Sequence, residues 1–143
     1  MLHVQVTQKK AEKIVEEAML LKEELKGNFY AKIPISEEGL KATKMLKKLG
    51  IGVTVTAIFT PAQALLAAMA GADFVAPYVN RLDNILGDGT EVVTEIVQQF
   101  KLYGLKCNVL AASFKNAEQV HRCASGGCHS VTVSADILKT IIS

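Results

Sequence analysis

The sequence predicts an α/β fold on a parallel sheet, about six β-then-α units in one domain over residues 1–143. Three observations carry that expectation. Strand-like and helix-like segments alternate along the whole chain. The connections between them are a few residues long. The strand-like segments are near-continuous apolar runs, as strands buried on both faces must be. Strict alternation in turn implies right-handed crossovers and a parallel sheet.

Leu2 to Val6 reads as a short strand. Gln8 to Lys26 reads as a helix, with Ala11, Ile14, Val15, Ala18 and Leu21 on one face and Lys and Glu on the other. Asn28 to Ile35 is a strand. Ser36 then caps a helix that runs through Leu40, Met45 and Leu46 to Gly50. Gly52 to Ile58 is a strand. Thr60-Pro61 opens a helix with proline in its first position, and that helix ends near Gly71. Asp73 to Tyr78 is a strand. A loop containing Gly87-Asp88-Gly89 leads to a helix from about Thr90 to Tyr103. Lys106 to Ala112 is a strand, Asn116 to Ser125 a helix, Ser130 to Val133 the last strand and Ala135 to Ile142 the last helix.

Two architectures fit this order: an open doubly wound sheet, or part of a (β/α)₈ barrel. A doubly wound sheet normally carries a glycine-rich phosphate loop after its first strand. Here Thr7-Gln8-Lys9-Lys10 follows that strand, and Gly50-Ile51-Gly52 precedes a strand instead of following one, so neither is a dinucleotide fingerprint. Half the residues are apolar, ample for one core, and the net charge of +2 gives no reason to expect nucleic acid or an anionic membrane. No stretch approaches the ~18 apolar residues of a membrane span. No basic-then-apolar leader opens the chain, so a cytoplasmic location is expected. The three cysteines, Cys107, Cys123 and Cys128, are odd in number and fit no zinc spacing. They read as small buried hydrophobes, and no metal site is expected.

One lysine stands out. Lys32 sits in the middle of the apolar run Asn28-Phe29-Tyr30-Ala31-Lys32-Ile33-Pro34-Ile35. Burying an ammonium pulls its pKa toward neutrality, and a neutral amine forms Schiff bases with carbonyls. The alternative is a lysine whose head snorkels out at the strand end. Gln5, Lys32, Thr56, Tyr78 and Ser113 all fall at or near the C-terminal ends of strands, the end that carries chemistry in both parallel architectures. A lysine ringed by hydroxyls and an amide suits a carbinolamine.

Four segments resemble the transaldolase family. They are Tyr30-Ala31-Lys32-Ile33-Pro34-Ile35-Ser36-Glu37-Glu38-Gly39-Leu40, Thr54-Val55-Thr56-Ala57-Ile58-Phe59-Thr60-Pro61-Ala62-Gln63-Ala64, the run from Ala70 through Ala76-Pro77-Tyr78-Val79-Asn80-Arg81-Leu82-Asp83, and Val109-Leu110-Ala111-Ala112-Ser113-Phe114-Lys115. The similarity covers essentially the whole chain, in order. It is closest to the small single-domain branch of fructose-6-phosphate aldolases and short transaldolases.

The resemblance implies a parallel (β/α)₈ TIM barrel of the class I aldolase/transaldolase type, here incomplete. Such a barrel has eight strands; this chain would begin at the third and end within the eighth unit, without the C-terminal helix. Lys32 matches the Schiff-base lysine, Tyr78 the proton-transferring tyrosine and Gln5 the glutamine that holds the catalytic water. Tyr78 and Gln5 favour an aldolase over a transaldolase, which tends to carry a phenylalanine and a glutamate there. Arg81 and Ser113 match positions that hold the substrate phosphate, and Thr56 and Ala76 belong to the substrate-binding set. The implied activity is that of an aldehyde-lyase cleaving fructose 6-phosphate to dihydroxyacetone and glyceraldehyde 3-phosphate, with no cofactor. Transaldolase transfer of a dihydroxyacetone unit is the alternative, and an inactive fragment or assembly module is a second. Six strands leave two open edges, so a homo-oligomer joined through Leu2 to Val6 and Ser130 to Val133 is expected.

Overall fold

The computed structural model describes residues 2–26 and 29–143. The expected strand start at Asn28 lies outside the described residues, as do Met1 and Gly27. The elements run β1 (Leu2–Gln5), α1 (Ala11–Leu25), β2 (Phe29–Pro34), α2 (Glu37–Lys48), β3 (Gly52–Ile58), α3 (Pro61–Met69), β4 (Phe74–Pro77), α4 (Val79–Asp83), α5 (Gly89–Leu102), β5 (Asn108–Ala111), α6 (Ala117–Ser125), β6 (Ser130–Val131) and α7 (Ala135–Ile142). The strands form one six-stranded sheet in chain order, every neighbouring pair parallel. It curls as a half-barrel with β1 and β6 at its edges. Among the described residues no helix is long and apolar enough to cross a membrane.

Local chemistry sets the helix boundaries. Ser36 Oγ accepts from Gly39 N at 2.9 Å, with Glu37 and Glu38 in the first turn of α2 and Lys47 and Lys48 in its last, the favourable sense for the helix dipole. Thr60 and Gln63 make a reciprocal capping box behind Pro61. Asp88 caps α5 by accepting from the Thr90 and Glu91 amides. Those bonds, with the Thr90 hydroxyl and Arg122 beside it, hold its carboxyl down to about 2. Helix α1 starts later than its pattern suggests. The Glu17 carboxylate accepts from the amides of Thr7 and Gln8, holding that segment off the helix, and Ala11 N donates to Glu38 Oε2 from α2 at 2.9 Å. Gly127 at φ 88 closes α6, with Cys128 N donating to the Cys123 carbonyl.

The core lies between the sheet's convex face and the helices. Ala31 and Ile33 of β2, Val53, Val55 and Ile58 of β3, Val75 of β4 and Val109 and Ala111 of β5 are sealed there against Ala42, Leu46, Ala64, Val93 and Ile96. Each fully buried large aliphatic side chain contributes roughly 1.5–3 kcal/mol. Cys107 and Cys123 belong to this core and Cys128 packs against it. Burial pushes the thiols of Cys107 and Cys123 up to about 12, so they are inert packing groups. At the N-terminal end of the sheet Asp73 takes the Lys47 ammonium at 2.7 Å and the Val53 amide at 2.8 Å, tying α2 and β3 to the entry of β4.

Two irregularities matter for function. Register slips between Thr56 and Ile58, where Ala57 takes φ 58. With this extra residue Ile58, not Ala57, takes the core position after Val53 and Val55, and Thr54 and Thr56 stay on the concave side. The short helix α4 replaces an expected loop. Its first amides are satisfied from outside, Val79 N by the Ala112 carbonyl and Asn80 N by that of Ser113.

Gly89 starts α5 against the backbone of Val79, with no room for a Cβ. Gly89→Ala is expected to cost about 1–3 kcal/mol by overpacking. Gly104→Ala, at φ 62 in open space, is expected to cost only the left-handed backbone, roughly 1–2 kcal/mol, with no repacking of α4 against α5. Denaturant melts of both variants, with the α4 amide shifts followed by NMR, check this; an unmoved α4 in Gly89→Ala contradicts it.

Candidate active site

In β2 the alternation of a strand divides the residues: Phe29, Ala31 and Ile33 are buried under the helices, while Tyr30 and Lys32 face the concave side and are half-buried. Lys32 is therefore not enclosed in the core, as its apolar neighbours suggest. It stands on the wall of an open cavity of about 610 Å³, together with His3, Phe74, Asn108, Leu110, His129 and Ser130. Among the described residues no carboxylate pairs with its ammonium.

Lys32 is flanked in register by Gln5 on β1 and Thr54 on β3. Gln5 is exposed, and its side-chain amide donates to the Val6 carbonyl at 3.2 Å. Thr56 is buried, pairs with Ala76 across the β3–β4 ladder, and donates through Oγ1 to Tyr78 Oη at 3.2 Å. Tyr78 follows β4 directly. Its ring packs edge-on to Phe59 at 5.8 Å, and the Arg81 guanidinium lies 4.7 Å from its centroid. Ser113 follows β5 in a left-handed conformation, φ 63, and its carbonyl accepts from Asn80 N at 2.7 Å.

The expected residues other than Gln5 thus fall into two groups. Thr56, Ala76, Tyr78, Arg81 and the Ser113 loop form one contiguous set across the exits of β3, β4 and β5. Lys32 lies one strand away on the same side, within the cavity, and the other six expected residues are not among the cavity's lining. The first set presents a phenol in a hydroxyl chain beside a guanidinium, suited to moving a proton next to an anion. The second presents a primary amine to an open cavity with room for a carbonyl compound.

His3 escaped the sequence reading. It sits two residues before Gln5 on the same face of β1, a spacing that marks it once the strand's period is applied. Its Nδ1 is 2.7 Å from Thr54 Oγ1, and its ring stacks on Tyr30 and meets Phe74 edge-on, both at 5.0 Å. Burial, and then the nearby Lys32 ammonium, lower its pKa below the ordinary 6.5. Among the described residues no group of three potential metal ligands clusters, and the imidazole of His129 is occupied by Val109 N, donating to Nδ1 at 3.0 Å.

A histidine with a depressed native pKa stabilises the fold fully above the unfolded value. That contribution fades as pH falls below about 6.5, when the unfolded chain takes up the proton first. The His3 ring is expected to titrate below 6.5 by NMR. His3→Phe, which keeps the stack, is expected to lose less stability than the parent between pH 7.5 and 5; identical pH dependence in melts of the two contradicts this.

Comparison with known proteins sets this geometry in context. By structure the chain resembles mandelate oxidase: a form with benzoyl-formic acid superposes with a TM-score of 0.64 at 15% identity, over 90% of this chain and 48% of that one. A likeness at that identity speaks for the barrel-type fold alone. By sequence it is 38% identical over 139 residues to a probable fructose-6-phosphate aldolase of Streptococcus pneumoniae, covering 97% of this chain and 63% of the relative. It is 44% identical over 115 residues to a probable transaldolase of Clostridium perfringens, covering 80% of this chain and 54% of that one. The chain thus spans little more than half the length of these relatives. The sequence model of the family described as Transaldolase/Fructose-6-phosphate aldolase matches residues 1–143, and the chain belongs to that family.

Proposed function

We propose that this chain is a class I aldolase acting on ketose phosphates, with Lys32 as the Schiff-base nucleophile. The observation that supports it most is the place of Lys32: an amine without an ion-pair partner among the described residues, on the concave face of a parallel sheet, opening on a cavity.

In this reading the Lys32 amine, once deprotonated, adds to the ketone carbonyl of fructose 6-phosphate. The carbinolamine loses water and becomes a protonated imine. A base takes the proton of the hydroxyl on the far carbon of the bond to be broken, the carbon that becomes the aldehyde. That bond's electron pair then flows into the imine nitrogen, releasing glyceraldehyde 3-phosphate and leaving an enamine. Protonation at carbon and hydrolysis release dihydroxyacetone and restore the amine. Tyr78, fed by the Thr56 hydroxyl, serves as the proton carrier. Arg81 and Ser113 hold the phosphate, where a forked guanidinium gives two parallel hydrogen bonds. Gln5 holds the water used in imine hydrolysis once its side chain turns from Val6. Ala76, small and paired with Thr56, leaves space for the carbon chain.

Transaldolase transfer is the second reading, favoured by the name of the Clostridium perfringens relative. It differs only in the acceptor that takes the enamine, so product analysis with an aldose phosphate acceptor separates the two. In either reading copies of the chain join through β1 and β6, the outer strands among the described residues, and light scattering at micromolar concentration tests it.

Borohydride reduction in the presence of dihydroxyacetone is expected to label Lys32 and to leave Lys32→Met unlabelled. Peptide mapping that finds the adduct on another lysine overturns the assignment, whereas no adduct at all favours an inactive chain. Tyr78→Phe is expected to lower cleavage by about 10²–10⁴-fold while trapping persists; an unchanged cleavage rate removes Tyr78 from proton transfer.

A further inference from the structure

Phosphate recognition in this reading requires Arg81, on α4, and Ser113, after β5, to keep a fixed spacing, although they belong to different βα units. We infer that Gln119 of α6 is the positioning residue that sets it; the inference rests on the phosphate role proposed for Arg81 and Ser113. Gln119 is 9% exposed, and both ends of its side-chain amide are engaged. Oε1 accepts from Lys115 N at 2.8 Å, two residues beyond Ser113. Nε2 donates to Asp83 Oδ2 at 2.6 Å, two residues beyond Arg81. It also lies 3.4 Å from Asn80 Oδ1, on the other side of Arg81. Only one orientation of the amide satisfies an N–H on one side and a carboxylate on the other, so the side chain is a strut of defined length and polarity.

The parts it joins are themselves anchored. The other oxygen of Asp83 accepts from Gly89 N at 2.7 Å, fixing α4 to the start of α5. Gln119 N donates to Asn116 Oδ1 at 2.9 Å, so the strut rises from a capped helix end. Ser113 holds φ 63, a conformation a non-glycine residue keeps only when its surroundings impose it. The Lys115 amide bound by Gln119 and the Ser113 carbonyl bound by Asn80 N impose it from both sides.

A glutamine at this point of a helix commonly does no more than cap it, accepting from amides just before the first turn. Capping needs only Oε1. The bond from Nε2 to Asp83, 36 residues away in sequence, has no part in it. Gln119→Glu separates the roles, because it keeps an acceptor for Lys115 N and turns the second bond into two facing carboxylates. Gln119→Leu removes both.

The test uses the full chain and titrates it with inorganic phosphate, followed by the Arg81 and Ser113 NMR signals. Borohydride trapping of dihydroxyacetone, which carries no phosphate, is run in parallel. The parent is expected to bind phosphate saturably and Arg81→Met to lose it. Gln119→Glu is expected to bind about tenfold more weakly, the size of one charge-assisted hydrogen bond, with an unchanged trapping rate. Gln119→Leu is expected to weaken binding at least as much. If both Gln119 variants bind phosphate like the parent while Arg81→Met does not, the positioning role is wrong and the phosphate reading stands. If the parent binds no phosphate, or Arg81→Met binds it normally, both fail. If Gln119→Glu loses trapping and phosphate binding to the same degree, its role is structural only, and the inference is overturned.

Discussion

A parallel strand delivers alternate side chains to opposite faces, and the division of β2 and β3 between those faces governs the rest of the molecule. The convex face must be apolar and sealed, because helices cover it. The concave face can carry Tyr30, Lys32, Thr54 and Thr56, because Lys32 opens on a cavity and the buried threonines find partners in His3 and Tyr78. Shifting either strand by one residue would drive Lys32 or a threonine into the helix layer and turn Ile33 or Val55 to water. Lys32 therefore owes its accessibility to the core on the other side of its own strand. The residue that defines the site and the residues that stabilise the fold are fixed by one register.

The bulge at Ala57 extends that logic to the strand exits. Without the extra residue, strict alternation would place Ala57 in the core and turn Ile58 to the concave side. With it, Ile58 is fully buried, and β3 realigns with Pro77. That realignment brings Tyr78 N to the Ile58 carbonyl and carries the Tyr78 ring over to Phe59 and Arg81. A left-handed backbone at an alanine costs about 1 kcal/mol or more. The burial of Ile58 offsets that cost while placing the phenol. Ser113 also takes a left-handed backbone, at the exit of β5.

Much of this was legible in the sequence because it depends on local chemistry. Ser36, Thr60-Pro61 and Asn116 announce their helices through capping geometry set by a few neighbouring atoms. The apolar runs announce parallel strands. The family motifs announced the residues around Lys32, Thr56 and Tyr78. What was hidden depends on contacts distant in the chain. Nothing near Gln8 shows that Glu17 will hold its amide and delay α1. Nothing near Val79 shows that carbonyls after β5 will support a helical turn. For Lys32 the sequence left two readings open, enclosed or reaching out, since an apolar run cannot tell which of its two faces meets helices. His3 was readable in principle from the strand's period, but its worth lies in Thr54, Tyr30 and Phe74, which only the assembled sheet brings to it.

The sheet's hydrogen bonding is uneven from centre to margin. β3 is held by ladders on both sides over most of its length, whereas β6 has two paired residues on one side only, and β1 four. Local opening draws on the least bonded units first, so backbone amides exchange with solvent fastest at the margins and slowest in β3. Lys32 stands between those extremes, next to the strand that opens last and one away from a strand that opens early. The part of the cavity wall formed by His3 can thus loosen and reclose while the amine keeps its footing beside the most persistent strand of the sheet.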